Sequence, residues 1–253
     1  MFSLLKERLH QGYHTLDYPH VFPSLSPCYK GLPQITGGTC GSCRKCLDLC
    51  PTGALTQHEG LLSLDMGRCL FCGACADACD SHRISFSREH RVAAFAREDL
   101  IITESGRSQS APRHDYSMFS RSFKLREVSA GGCNACEADS NVLGTLVYDL
   151  GKFGIDFVAS PRHADALAVT GPVPRNMRGA LLQAWEALPA PRLVIAIGTC
   201  AISGGLFRDG GDECHGLESV LPVDLFIPGC PPNPWSILDG LLSIMGRSVS
   251  KNN

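Results

Sequence analysis

Apolar residues follow two rhythms along this chain. Between residues 123 and 247, short runs of strand length alternate with stretches of helical spacing. Phe123 to Val128 alternates apolar and polar positions, while Ile155 to Ala159, Ala166 to Val169, Leu193 to Ile197 and Val223 to Ile227 are compact apolar runs. After Cys136, residues Val142, Leu143, Leu146, Val147 and Leu150 recur on one helical face. A helix opening near Pro174 is expected to bury Met177, Leu181, Leu182, Trp185 and Leu188, and a last one to run from about Pro234 to Met245. Strands that alternate with helices predict a mostly parallel sheet covered on both faces.

Upstream the rhythm changes. Phe2, Leu5 and Leu9 fit one helical face with Lys6 and Arg8 elsewhere, which suits either a short cap on the next domain or a helix docking on a membrane surface or partner. Pro19, Pro23, Pro27 and Pro33 then keep the chain extended. From Arg97 to Arg121 periodicity is lost, and Thr103 to Pro112 is polar and turn-rich, as a linker is. The expected organisation is an N-terminal docking segment (1–36), a small domain (37–95), a linker (96–122), the α/β domain (123–247) and a tail (248–253).

Composition narrows the function. Lys+Arg 23 against Asp+Glu 25 leaves a formal charge of −2, so no basic footprint for nucleic acid exists. No apolar run of about 18 residues is present, so nothing is expected to span a membrane. The first residues lack a long apolar region and a twin arginine, so export is not expected. The 14 cysteines fall in C-x-x-C rhythms, which favour metal ligation in a reducing compartment over a disulfide scaffold.

The run Cys40, Cys43, Cys46, Cys50 recurs as Cys69, Cys72, Cys75, Cys79, both reading C-x2-C-x2-C-x3-C. This is the spacing of bacterial ferredoxins with two [4Fe-4S] clusters, in which the fourth cysteine of each run reaches the other cluster. The expected sets are therefore Cys40, Cys43, Cys46 with Cys79, and Cys69, Cys72, Cys75 with Cys50. Zinc sites use four ligands in two pairs, not two matched runs of four. Proline follows Cys50, whereas Asp80 follows Cys79 and either adds a charge beside a cluster or merely makes a different turn.

A third set follows the strand-like runs of the α/β domain. Cys133 and Cys136 come after Phe123 to Val128, Cys200 after Leu193 to Ile197, and Cys230 after Val223 to Ile227. In open α/β sheets functional groups gather outside the carboxyl ends of the strands. Four thiolates can thus meet there, enough for a third [4Fe-4S] cluster. No Gly-rich phosphate loop follows any strand, and Gly204-Gly205 suits close packing against that cluster better than a nucleotide cradle. Twelve of the 14 cysteines are then used; Cys28 and Cys214 remain and are expected to be inert thiols on loops.

The fold class is α/β, a flavodoxin-like, mostly parallel sheet domain preceded by a small α+β ferredoxin domain. Gly132-Cys133-Asn134-Ala135-Cys136-Glu137, Ser160 to Asp165, Gly198-Thr199-Cys200-Ala201 with Gly204-Gly205, and Pro228-Gly229-Cys230-Pro231-Pro232 resemble the small subunit of membrane-bound, energy-converting group 4 [NiFe] hydrogenases, formate hydrogenlyase in particular. The same fold serves respiratory complex I as its cluster-bearing subunit next to the quinone site. The resemblance covers about residues 123–245; residues 1–100, with Tyr18-Pro19 and Lys30-Gly31-Leu32-Pro33, resemble the separate polyferredoxin-like subunit of formate hydrogenlyase, so the chain looks like a fusion. Two departures bear on function. Asn134 and Ala135 separate the first two ligands, as in the hydrogenases, where complex I has adjacent cysteines. Asp139 stands where the family usually carries Glu.

The resemblance implies an oxidoreductase subunit that relays electrons through three [4Fe-4S] clusters, with no catalytic residue of its own. The nickel centre would lie on a [NiFe] hydrogenase large subunit, similar to the large subunit that adjoins this fold in complex I. Membrane subunits and an electron donor, such as a formate dehydrogenase or ferredoxin, are the further partners implied. The place implied is the cytoplasm, on the inner face of the cell membrane through those partners. Three other readings stay open: a complex I-like or hydrogenase-related NADH/quinone oxidoreductase iron-sulfur subunit without hydrogen chemistry, a free electron carrier with no enzyme partner, and a metal-storage or zinc structural protein.

Overall fold

The computed structural model describes residues 2–12, 15–38 and 40–248; all of the expected tail except residue 248 lies outside them. The α/β domain is built on five strands: β7 (Phe123–Ser129), β8 (Ile155–Phe157), β9 (Ala166–Thr170), β10 (Leu193–Ile197) and β11 (Leu225–Ile227). They pair in the order β11-β10-β9-β7-β8, and every pair is parallel. Counted within the sheet this is the 2-1-3-4-5 order of flavodoxin-like folds, whose strand order reverses between β7 and β9. Strands β9, β10 and β11 are buried at every position, which is why they read as unbroken apolar runs.

Helices α4 (Ala135–Val142), α5 (Arg175–Glu186), α6 (Thr199–Ser203) and α7 (Pro234–Ile244) connect and cover the sheet. The start of α7 is capped by Asn233, whose side chain accepts the Trp235 N–H at 3.0 Å, with Pro234 in the first turn. The helical face expected to reach Leu150 stops early. Helix α4 ends at Val142 because Gly144 disfavours its continuation and the Thr145 hydroxyl turns back to the Val142 carbonyl at 2.7 Å. Leu143 and Leu150 are buried all the same, while Leu146 and Val147 are left on the surface.

The N-terminal module is a duplicated unit. Strand β1 (Pro33–Ile35), α2 (Lys45–Asp48) and β2 (Leu55–His58) form the first copy; β3 (Leu61–Asp65), α3 (Ala74–Asp77) and β4 (Ile84–Phe86) form the second. The copies exchange partners: β1 pairs antiparallel with β4, and β2 with β3. Both cysteine runs are thereby folded against each other. The stretch expected as a linker is ordered in part: β5 (Ile101–Thr103) and β6 (Gly106–Arg107) extend the β2–β3 sheet, and Leu100 and Ile102 are buried. Polar composition misled here because a two-stranded edge needs few apolar residues.

The two modules share one core. Ile35, Leu64 and Met66 pack in the same cluster as Leu167, Val194, Ile202 and Phe226. Ala94 bridges β11 by two hydrogen bonds with Phe226, of 2.9 and 2.8 Å, and covers the outer edge of the sheet. On the opposite face Tyr18 is buried; its hydroxyl donates to Asp239 Oδ1 of α7 at 2.9 Å and lies 3.0 Å from His90 Nε2. Helix α1 (Phe2–Gln11) buries no residue, so it does not act as a cap, and Phe2, Leu5 and Leu9 are exposed.

Candidate metal-cluster sites

The second ferredoxin set is buried at Cys69 and Cys75 and open to solvent at Cys72. Cys50, Cys69, Cys72 and Cys75 line one small cavity together with Leu55, Leu64 and Phe86. Burial pushes the Cys69 thiol up to about 12 and that of Cys75 up to about 11, and the neighbouring thiols of the set add to both. Cys50 differs: burial opposes its ionisation, but the N–H groups of Ala54 and Thr52 overcome this and hold it below the usual thiol range. In the first set, burial raises Cys46, with Cys40 and Cys79 as further causes, and Cys43 is exposed. The sulfur of Cys79 accepts the Arg83 N–H at 3.4 Å, and that of Cys40 accepts from Arg83 Nη1 at 2.7 Å. Asp80, the charge that replaces proline, is paired with Lys45 at 2.5 Å on the surface, so it stands compensated.

The third set is assembled by sheet topology. Strands β7, β10 and β11 are parallel, so their carboxyl ends, and with them Cys133, Cys136, Cys200 and Cys230, lie at one edge of the sheet. Burial raises Cys136 most strongly, with Cys200, Cys230 and Cys133 among the further causes; Cys200 is pushed up to about 11 in the same way. Two glycines permit the approach. At Gly198 (φ 91°) a Cβ would stand 2.6 Å from Cys136 Sγ, and at Gly205 (φ 54°) one would stand 2.9 Å from Cys200 Sγ. Close packing is thus what Gly205 provides.

Glu137 has no role legible in the sequence beyond its place in the motif. It is buried, and its Oε1 accepts from the hydroxyls of Ser129 and Thr170, at 2.6 Å each, at the ends of β7 and β9. Burial opposes its charge, but these bonds hold its carboxyl below the usual range. It therefore ties the Cys133–Cys136 loop to the point where the strand order reverses. Asp139 is half-buried, and burial raises it. Cys28 is exposed; Cys214 is buried and near enough to Cys200 to raise that thiol.

Thr199 gains its role only from the fold. It is buried, and its hydroxyl donates to the Cys69 carbonyl at 2.8 Å, with the Gly229 carbonyl at 3.1 Å as second acceptor. One side chain therefore joins a cysteine of the second set to the two loops that carry Cys200 and Cys230.

The donor chemistry fits clusters. Each set holds at least one thiol that burial raises, and neighbouring thiols of the set add to the rise, so its thiolates need a cationic centre among them. A [4Fe-4S] cluster takes one thiolate per iron, so its ligands surround a volume instead of meeting at a point. Among the described residues no group of three or more His, Cys, Asp or Glu is placed to hold a single metal ion.

Fold and thiol sets together define an iron-sulfur protein of the electron-transferring oxidoreductase class. The chain belongs to the NADH ubiquinone oxidoreductase 20 Kd subunit family, which residues 133–244 match, and residues 38–84 match the 4Fe-4S dicluster domain. It is 43% identical over 131 residues to formate hydrogenlyase subunit 7 of Escherichia coli, a match covering 52% of this chain and 51% of that one, so it spans about half that relative's length. It is 42% identical over 122 residues to the probable membrane-bound hydrogenase subunit mbhJ of Pyrococcus furiosus (48% of this chain, 73% of that one). An NADH-quinone oxidoreductase subunit of Citrifermentans bemidjiense is 39% identical over 122 residues (48% and 71%). No helix among the described residues is long and apolar enough to cross a membrane.

Proposed function

We propose that this chain is the electron-transferring iron-sulfur subunit of a group 4 [NiFe] hydrogenase, similar to formate hydrogenlyase. In this reading Cys40, Cys43, Cys46 and Cys79 hold one [4Fe-4S] cluster, Cys69, Cys72, Cys75 and Cys50 a second, and Cys133, Cys136, Cys200 and Cys230 a third. Bound clusters supply one-electron storage and outer-sphere transfer. The chain's residues desolvate the thiolates, orient them and join the sites. The observation that carries the reading is the Thr199 bridge, which sets the backbone of Cys69 against the loops of Cys200 and Cys230. It supports an order in which the Cys69 site adjoins the C-terminal one and the Cys40 site lies furthest from it. The C-terminal site opens on the surface at Cys133 and Cys230, and exposed Leu206 and Phe207 directly follow Gly205, which packs against Cys200 Sγ. An apolar patch beside a redox site suits a large subunit carrying the catalytic metal and argues against a free carrier. Membrane subunits and an electron donor complete the proposed complex, on the inner face of the cell membrane.

The separation of Cys133 from Cys136 by Asn134 and Ala135 favours hydrogen chemistry. The likeness to the NADH-quinone oxidoreductase subunit supports a quinone-linked complex as the second reading. Anaerobic analysis of the purified chain is expected to give about 12 iron and about 12 sulfide. A value near eight iron removes the third cluster. Co-purified complex should evolve hydrogen from a small artificial reductant; a complex with intact clusters that reduces quinone and gives no hydrogen selects the second reading.

A further inference from the structure

The two halves of the N-terminal module are copies, and at one position the copy is broken. Ala54 and Arg83 occupy equivalent places in the two copies: each follows the last cysteine of its run by the same interval. Each also donates its backbone N–H to that cysteine, Ala54 to Cys50 Sγ at 3.2 Å and Arg83 to Cys79 Sγ at 3.4 Å. There the likeness ends. Ala54 stops at a methyl group. Arg83, only 5% exposed, carries a guanidinium into the ligand shell, where Nη1 donates to Cys40 Sγ at 2.7 Å and Nε to the Thr36 carbonyl at 3.2 Å. Its remaining nitrogen, Nη2, pairs with Glu104, on the turn between β5 and β6. One residue therefore touches Cys40 and Cys79, which come from different runs. The basic groups near the other site are Lys30 and Arg68. Lys30 bonds the Cys72 carbonyl at 2.8 Å in a contact open to solvent, and the Arg68 guanidinium lies by Gly53 in the turn of residues 50–54. Both stand against backbone, whereas Arg83 reaches a sulfur.

We propose that Arg83 and Glu104 set the reduction potential of the site formed by Cys40, Cys43, Cys46 and Cys79 above that of its copy, with Arg83 raising it and Glu104 moderating the rise. The proposal rests on the reading that these cysteines hold a [4Fe-4S] cluster. Reduction adds negative charge to the site, and a buried cation in contact with a ligating sulfur favours the reduced form. Burial strengthens this effect, because little solvent screens the charge. Glu104 acts in the opposite sense: its carboxylate, paired with Nη2 while Nη1 stays on the sulfur, partly neutralises the guanidinium. Arg83 is thus a positioning residue that breaks the symmetry of the duplicated module. Its consequence is directional. The site furthest from the C-terminal domain becomes the more easily reduced of the pair, and an electron leaving it for the Cys69 site moves uphill.

The test is a redox titration of the complete chain followed by EPR, for the wild type, Arg83→Gln, Arg83→Lys and Glu104→Gln. Arg83→Gln is expected to make one cluster harder to reduce by about tenfold, or about 59 mV for a one-electron step. Arg83→Lys should recover part of that shift. Glu104→Gln should move the same cluster the opposite way, and the other signals should stay. If Arg83→Gln loses its cluster outright, Glu104→Gln decides alone: an upward shift supports the proposal and no shift overturns it. Unchanged potentials with every signal intact overturn the proposal and leave the cluster assignment standing. Absence of that cluster from the wild type overturns the assignment, and the proposal with it.

Discussion

The N-terminal module gathers its thiols within two short runs, Cys40 to Cys50 and Cys69 to Cys79, and lets a duplicated unit exchange partners. The C-terminal domain collects four thiols from Cys133 to Cys230, and only the carboxyl ends of three parallel strands bring them together. The first arrangement is local: each ligand loop is bounded by its own short helix and strand. The second depends on the whole sheet, including the edge that Ala94 covers and the helix that Tyr18 braces. A site built by topology therefore depends on contacts far from its ligands, and here those contacts come from the other module.

Removing residues 1–122 is the harshest way to break that comparison. If the polar stretch 103–115 were a boundary crossed by few contacts, the remaining chain would keep its fold. The shared core implies the reverse, because deletion uncovers Ile202 and Phe226, frees the edge of β11 and leaves Asp239 without Tyr18. The fragment is expected to lack cooperative thermal unfolding and to aggregate, as followed by circular dichroism and light scattering. A soluble fragment that melts within a few degrees of the full chain would show the interface to be dispensable.

A smaller change should separate the two modes of assembly without unfolding the protein. In Gly198→Ala the new Cβ would stand 2.6 Å from Cys136 Sγ, at a φ of 91° that disfavours any side chain. The expected outcome is loss of about four of about 12 iron, with the ferredoxin signals retained. Loss of all iron would mean that the N-terminal clusters need the C-terminal one, contrary to their local construction.

Legibility in the sequence follows the same division. The proposed ferredoxin sets rest on spacing alone, since periodic cysteine runs need no knowledge of the fold. The strands of the α/β domain were legible where burial is complete on both faces, as in Leu193 to Ile197, and the cysteines of the third set stand after their ends. What could not be read was long-range. Nothing near Ala94 announces that it will bridge Phe226, and Glu104 sits in a polar stretch that looks solvated until Arg83 meets it. Leu146 and Val147 matched a helical face whose continuation Gly144 and Thr145 prevent. Thr199 and Glu137 stand inside the cysteine motifs, but their roles depend on partners 130 and 33 residues away.

The finest test addresses the join itself. Thr199→Val keeps the shape of the side chain and removes one hydroxyl proton, so the bond to the Cys69 carbonyl is lost. The Gly229 carbonyl still receives the Thr199 N–H at 2.8 Å, so the main effect falls on the junction between the modules. The stability cost should be about 1 kcal/mol, the usual net worth of one neutral hydrogen bond, with a larger value if the buried carbonyl is left unsatisfied. Iron content should not change, because the hydroxyl touches no thiol. If this bond fixes the Cys69 site against the C-terminal one, magnetic coupling between their reduced clusters should weaken in EPR, and electron passage from the ferredoxin module to the C-terminal site should slow. Cys40-site signals should be unaffected, which distinguishes a local adjustment from general loosening. Unchanged coupling and transfer with the expected loss of stability would reduce Thr199 to a packing contact, and the order of sites proposed above would lose its principal support.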